Sequence, residues 1–184
     1  QQLVTNRSRT IAIQVAPFDP TSKSSMLIPN SEYFLEVLNG ASDEADRNGY
    51  ALVLTPPGVG PTTISAFAVD GAIIVDPHGD EGLLDPQWTA KHPVVTAGRT
   101  AGRRRRAYVV DNDHRAAAVT AFEHMWEQGY RRPAAVITDR ARSYTRDVVD
   151  GYRTWATKRG VPIQWMETGS DKSAKAALQI GRAS

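Results

Sequence analysis

Three short stretches of this sequence combine residue types that could perform chemistry. Gly58-Val59-Gly60 follows an apolar run, as the glycines of a phosphate-binding loop would. His78-Gly79-Asp80-Glu81 could hold a metal ion or move a proton. Asp111-Asn112-Asp113 offers the oxygen ligands that hard cations bind. Spacing argues against the first possibility, and a structural role explains the second and part of the third.

The glycine loop lacks a dinucleotide fingerprint, because Thr63 stands where its third glycine would be. None of the four histidines forms a pair spaced for zinc, and the absence of cysteine excludes a cysteine nucleophile. Residues 78–81 are better explained as a polar loop. Residues 111–113 precede a predicted helix, where such side chains cap free backbone N–H groups. The sequence therefore predicts no catalytic set, no metal site and no cofactor, although an α/β enzyme such as a nucleotide-binding transferase stays as an alternative.

Short apolar runs rich in β-branched residues alternate with amphipathic segments along the chain. The runs are mostly continuous in hydrophobicity, which is typical of parallel strands covered on both faces. Predicted strands cover residues 10–15, 50–54, 71–75, 93–96, 108–110, 134–137 and 162–165. Predicted helices cover residues 31–47, 114–128, 143–159 and 173–179. This alternation predicts an α/β fold with doubly wound parallel sheets.

The composition is that of an ordinary globular chain, with 184 residues, 41% hydrophobic, 23% charged and a net charge of +2. That charge is too small for nucleic-acid binding by bulk electrostatics. No apolar run approaches the ~20 residues of a membrane helix, and no signal peptide is visible. With the absence of cysteine, this predicts a cytoplasmic protein without membrane contact. Arg103–Arg106 is interpreted as a solvated loop, with an anion or nucleic-acid patch as the alternative.

The order of the motifs resembles one family. Val69-Asp-Gly-Ala-Ile-Ile74 and Gly129-Tyr-Arg-Arg-Pro133 are similar to stretches in the effector-binding domain of LacI-family transcription regulators. Type I periplasmic sugar-binding proteins share that fold. Further motifs in matching order lie at residues 9–15, 30–40, 48–54, 93–99, 110–117, 123–125, 134–137, 143–146 and 150–152. The resemblance covers essentially residues 9–182.

The resemblance implies a periplasmic-binding-protein-like type I architecture, with two Rossmann-like lobes of parallel sheet. Residues 1–8 would be a hinge remnant, 9–129 the first lobe and 130–184 part of an incomplete second lobe. The implied function is the ligand-sensing domain of a DNA-binding repressor. A small effector, expected to be a sugar, would bind in the interlobe cleft and change operator binding. A periplasmic sugar-binding protein of the same fold is the alternative.

The resemblance also implies the partners. They are the small-molecule effector, a second copy in a homodimer, and operator DNA contacted through an N-terminal helix-turn-helix that this sequence lacks. Dimer contacts would come from the segment Thr62–Ala68 and the helix around Leu83–Trp88.

Arg146 is the first predicted effector contact. The resemblance implies an arginine that binds the ligand in the first turn of the predicted helix over residues 143–159. A guanidinium offers donors suited to sugar hydroxyls. Tyr33 and Phe34 form an aromatic pair that could stack on a sugar, although Phe34 also fits the apolar stripe of its helix. Of Asp111 and Asp113, one is expected to contact the ligand while the other caps the helix that follows. The remaining predicted contacts are Asp111, Asp113, Arg99, Phe18 and Asp19.

Overall fold

The computed structural model describes residues 7–16, 32–100, 106–137 and 142–167. The chain divides into two compact units, Gln1–Asp111 and Asn112–Ser184. The sequence placed the boundary between lobes after Gly129, whereas the helix that precedes Gly129 belongs to the second unit. The predicted helix over 173–179 lies outside the described residues.

Five parallel strands form the sheet of the first unit. They are β1 (Thr10–Val15), β2 (Ala51–Thr55), β3 (Gly71–Val75), β4 (Val94–Ala97) and β5 (Tyr108–Val110). Their order is β2-β1-β3-β4-β5, and every neighbouring pair is parallel. The predicted α/β fold with a parallel sheet is therefore confirmed.

Both faces of this sheet are covered, which explains the continuous apolar runs. On one face, Ile13 and Val15 of β1 pack with Phe34 and Val37 of α1 (Glu32–Arg47). On the other face, Ala12 packs in a cluster with buried residues of the later segments. Those segments are α2 (Pro61–Ile64), α3 (Pro86–Thr89) and two 3-10 turns at Ser65–Phe67 and Gly82–Leu84.

The second unit contains α4 (His114–Glu127) and α5 (Ser143–Arg159) with two parallel strands, β6 (Ala135–Ile137) and β7 (Trp165–Glu167). Its core includes stacked rings of Phe122 and Tyr152, whose centroids are 4.2 Å apart. The buried Tyr152 hydroxyl donates to the Pro133 carbonyl (2.8 Å) and accepts the Gln164 N–H (3.0 Å). One hydroxyl therefore ties together the segments that lead into both strands.

The last strand was predicted too early, at residues 162–165, and shares only Trp165 with the observed β7. The residues between α5 and β7 make other bonds. Val161 donates its N–H to Ala156 at the end of α5, and Gln164 donates to Tyr152. Pro162 has no N–H to donate. Apolar character alone could not separate this connection from the strand that follows it.

Gly151 lets α5 approach α4 closely. A Cβ atom at this position would lie 2.5 Å from the carbonyl oxygen of Arg115 and 2.9 Å from the Cβ atom of Ala118. Both atoms belong to α4, so neither can move without shifting that helix. The sequence places a glycine, a poor helix former, in the middle of α5 because the contact leaves no room for a side chain.

We expect Gly151→Ala to lower the free energy of unfolding by about 1–3 kcal/mol, since overpacking outweighs the better helix propensity of alanine. Gly40→Ala is the matched control, because Gly40 also lies inside a helix but has nothing within 4 Å of an added Cβ atom. It should stabilise the protein by about 0.5–1 kcal/mol. Urea unfolding of both variants measures the difference, and a stabilised Gly151→Ala would contradict the close contact.

Candidate functional site

The strand order of the first sheet reverses between β1 and β3. The chain runs from β1 to β2 on one side and then crosses to β3 on the other side. In open α/β sheets, ligands bind outside the carboxyl ends of the strands at such a switch point. The residues at this edge are therefore the candidates for ligand binding.

Four residues define what we call the carboxyl-edge cluster. Asp76 directly follows β3, Arg99 follows β4 after one glycine, and Asp111 directly follows β5. Tyr33 lies in the first turn of α1. Arg99, Asp111 and Tyr33 were predicted from the sequence. Phe18 and Asp19, predicted at the same edge, lie outside the described residues.

Asp76 is the member of this cluster that the sequence pattern does not predict. Its backbone is left-handed, with φ of 53°, and its N–H donates to Ala97 (2.8 Å). This conformation costs a non-glycine residue roughly 1–2 kcal/mol, although Asp tolerates it better than most. Such strain clusters at functional sites. The available signal was position, because Asp76 follows its strand as directly as Asp111 does.

Arg99 and Asp111 form an ion pair across the ends of β4 and β5. The Nε atom of Arg99 donates to Oδ2 of Asp111 at 2.9 Å. The Asp111 side chain is 14% exposed, whereas half of the Arg99 side chain is exposed. The Gly98 N–H donates to Val110 (2.8 Å), which fixes the two strand ends beside each other. The pair therefore holds a cation and an anion in fixed positions at the edge.

Tyr33 and Phe34 contact each other edge to face, with ring centroids 5.2 Å apart, but they have different surroundings. Phe34 packs against the core beneath α1, whereas Tyr33 is 50% exposed. Desolvation, then the negative charges of Asp76 and Asp111, raise the pKa of Tyr33 above its ordinary value. The phenol is therefore close enough to both carboxylates to sense their charge.

We expect Asp111→Asn to lower the pKa of Tyr33 without returning it to the ordinary value of about 10, since the desolvation and the charge of Asp76 remain. Asp43→Asn on the same helix is the control, because Asp43 lies ten residues, or about 15 Å, along α1 from Tyr33. NMR titration of ¹³C-labelled tyrosine measures the change. Equal effects of the two variants would mean that Tyr33 and Asp111 are not neighbours.

The two predicted effector contacts in the second unit have different surroundings. Asp113 caps α4, and its Oδ1 atom accepts the N–H of Ala116 at 2.9 Å. Arg146 is exposed in the first turn of α5. Of the two aspartates, Asp113 thus caps a helix and Asp111 lies at the edge of the first sheet. A role for Arg146 in effector binding stays a prediction.

The loop at residues 78–81 has a structural explanation. The buried Glu81 carboxylate accepts the N–H groups of His78 (2.6 Å) and Gly79 (2.8 Å). Those bonds close the loop onto its own backbone. Among the residues that the structure describes, no group of three or more His, Cys, Asp or Glu side chains could hold a metal ion.

A pocket of about 420 Å³ opens at the opposite edge of the first sheet, before β4 and β5. We call it the amino-edge pocket. It is lined by Thr89, Ala90, Lys91, His92, Pro93, Val94, Arg106, Ala107 and Tyr108. Of the four consecutive arginines, only Arg106 lies in the described part of the chain. The pocket lies at the amino ends of these strands, whereas the carboxyl-edge cluster lies at the carboxyl ends.

A family described as "Periplasmic binding proteins and sugar binding domain of LacI family" matches residues 23–182. This is the family that the sequence motifs resemble, and its members are binding proteins and binding domains. No curated protein matches the chain in sequence. Across the part of the chain that the structure describes, no helix has the length and apolar character needed to cross a membrane.

Solved structures share the fold. A transcription regulator-like protein from Staphylococcus haemolyticus is 18% identical, with a TM-score of 0.75 over 94% of this chain and 65% of its own. A sugar-binding LacI-family regulator from Enterococcus faecalis is 18% identical, with a TM-score of 0.72 over 97% and 63%. A periplasmic binding protein/LacI regulator from Alkaliphilus metalliredigens, complexed with D-xylulofuranose, is 16% identical, with a TM-score of 0.65 over 88% and 57%. The chain thus spans less than two-thirds of each protein.

Proposed function

Because the chain belongs to the family of periplasmic binding proteins and LacI-type sugar-binding domains, we propose that it is the effector-sensing part of a DNA-binding repressor. The family consists of binding proteins and binding domains, and this chain is not an enzyme. We further propose three partners: a small effector, operator DNA contacted through another domain of the protein, and a second copy of the chain in a homodimer. It also places the protein in the cytoplasm, where operator DNA is found.

The effector we propose is a sugar, and the observation that carries this is the carboxyl-edge cluster. Its carboxylates, Asp76 and Asp111, can accept hydrogen bonds from hydroxyl groups, and Arg99 can donate to ring or hydroxyl oxygens. The exposed ring of Tyr33 offers an apolar face on which a sugar ring can stack. Support also comes from the Alkaliphilus metalliredigens protein of the same fold, which was solved with a sugar.

Regulation by such an effector is a two-state equilibrium. The sugar shifts the balance between two conformations only by its difference in affinity for them. Operator DNA, contacted by another domain of the same protein, would prefer one of these conformations. Binding in this scheme breaks and forms no covalent bond, which agrees with the absence of a catalytic set in the sequence.

The proposed homodimer contacts involve the segment Thr62–Ala68. Phe67 in this segment is 56% exposed, which is unusual for a phenylalanine. The second segment implied by the resemblance offers less, because the side chains of Leu83, Leu84 and Trp88 are buried in the first unit. Of the two segments, the first therefore offers an apolar side chain that a second copy could cover.

Thermal unfolding of the complete protein against a panel of pentoses, hexoses and disaccharides tests the proposed function. A sugar at 100 times its dissociation constant should add about 2.7 kcal/mol to the free energy of unfolding. The same sugar should change the affinity of the protein for DNA from its own promoter. A sugar that stabilises a protein without DNA affinity would favour the periplasmic alternative. No stabilisation by any sugar would contradict a sugar effector.

A further inference from the structure

We propose that Asp70 is a positioning residue that anchors the segment leading into β1 and sets the direction from which that segment joins the sheet. Asp70 directly precedes β3, the central strand, and its own N–H donates to Thr10 at 2.8 Å. The hydrogen-bond ladder between β1 and β3 therefore extends to Asp70. Its carboxylate reaches one step further, to the two residues before β1.

The Asp70 carboxylate accepts three hydrogen bonds from two consecutive residues. Its Oδ1 atom accepts from the backbone N–H (2.8 Å) and the hydroxyl (3.0 Å) of Ser8, and Oδ2 accepts the N–H of Arg9 (3.0 Å). Burial opposes the charge, but these bonds and the nearby Arg7 hold the pKa of Asp70 below its ordinary value. Bonds from N–H groups to a carboxylate are stronger than bonds between neutral groups.

The backbone bends at the anchored point. Arg9 has a φ of 55°, in the left-handed region that residues with side chains rarely adopt. In an extended strand, successive N–H groups point in opposite directions, so two neighbours cannot reach one carboxylate. The step from Ser8 to Arg9 is therefore not extended, and the left-handed conformation at Arg9 turns the chain between the Arg9 N–H, which donates to Asp70, and the Arg9 carbonyl. A costly conformation persists where surrounding bonds determine it, and here Asp70 supplies them.

A second contact holds the same residue from the other side. The carbonyl of Arg9 accepts the N–H of Ala51, at the start of β2, at 2.8 Å. Arg9 is therefore fixed between β2 and the residue preceding β3, although Ser8 and Arg9 are exposed. Exposed residues at the start of a domain are normally loose unless they are tied down. Asp70 does this for the segment.

This anchor matters for regulation if a DNA-reading domain precedes the effector domain, as the proposed function has it. The path from that domain to the sheet would run through Ser8 and Arg9, so Asp70 would set the direction of the connection. Only this consequence rests on the proposed function. The anchor itself can be tested without any effector or DNA.

The test is amide hydrogen exchange of the complete chain in the wild type and in Asp70→Asn. The asparagine amide keeps one acceptor oxygen but turns an NH₂ group toward the other N–H donor. We expect exchange at Ser8 and Arg9 to be at least tenfold faster, with the amides of Ile13 and Ile74 changing less than twofold. Glu44→Gln is the control, because Glu44 is another carboxylate of this unit that accepts hydrogen bonds, from Arg47 and Asn48.

A nitroxide label gives a second measurement if exchange at these exposed amides is too fast to follow. The chain has no cysteine, so Arg7→Cys, next to the two anchored residues, provides a unique labelling site. The label should become more mobile in the Asp70→Asn background and keep its mobility with Glu44→Gln. Unchanged exchange and mobility in Asp70→Asn would overturn the proposal. Equal acceleration at Ser8, Arg9, Ile13 and Ile74 would also overturn it, because Asp70 would then stabilise the whole sheet.

Discussion

Replacing Trp155 by alanine should lower the free energy of unfolding of the second unit by about 3–5 kcal/mol, the range for truncating a buried tryptophan. Its side chain is 2% exposed and contacts Phe122 and Trp126, with ring centroids 5.6 and 6.0 Å away. The truncation would leave a large cavity between α4 and α5. It would also remove the indole N–H that donates to Glu123. Urea unfolding followed by circular dichroism measures the loss.

Trp155 also makes a polar contact. Its Nε1–H donates to Glu123 at 2.8 Å, and the Glu123 carboxylate also accepts from Arg159. The hydrogen bonds from Arg159 and then Trp155 hold the pKa of Glu123 below its ordinary value. Trp155→Phe keeps an aromatic ring but loses the N–H donor. Its free energy of unfolding should therefore lie between those of the wild type and Trp155→Ala.

The control for this prediction is Ile163→Ala in the same unit. Ile163 is 43% exposed, so the change should stay within about 0.5 kcal/mol of the wild type. A Trp155→Ala variant as stable as Ile163→Ala would show that the aromatic cluster does not form the core of the second unit.

Asp111→Ala should weaken the binding of a sugar that stabilises the protein by about tenfold to a hundredfold. Hydrogen bonds to charged groups contribute about 1.5–3 kcal/mol, and each 1.4 kcal/mol corresponds to a tenfold change in affinity. The variant removes an acceptor at the carboxyl edge. It also removes the carboxylate that holds Arg99 at 2.9 Å. Isothermal titration calorimetry of the sugar measures both effects together.

Asp43→Ala serves as the control for this variant, since it removes the same charge from an exposed position on α1. Its affinity for the sugar should stay within twofold of the wild type. If Asp111→Ala binds as tightly as Asp43→Ala, Asp111 is not a ligand contact, and the carboxyl-edge cluster loses one of its two acceptors.

The sequence predicted the strands of the first sheet to within one residue because burial on both faces leaves a clear apolar signal. The ends of the elements depend on individual bonds. Tyr50 was predicted to begin β2, but its N–H donates to Ala45 at the end of α1. Pro93 was predicted to begin β4, and only its carbonyl, which accepts from Ala72, pairs with the sheet. Individual hydrogen bonds of this kind cannot be predicted from hydrophobic periodicity.

The site was predicted in part for a similar reason. Arg99 and Asp111 follow apolar runs, and parallel strands bring such positions to one edge. Asp76 follows its run in the same way, but it is followed by the polar residues 78–81, so the local pattern is also that of an exposed loop. The anchoring role of Asp70 depends on contacts with residues more than 60 positions away in sequence, which no local pattern reveals.

The central claim is that the effector binds at the carboxyl edge of the first sheet, and NMR mapping of a bound sugar tests it most directly. On titration of the complete chain with a stabilising sugar, we expect the largest amide shifts at Tyr33, Asp76, Gly98, Arg99 and Asp111. Shifts concentrated at Lys91, His92 and Tyr108, with the carboxyl-edge cluster unchanged, would place the effector in the amino-edge pocket and contradict the account.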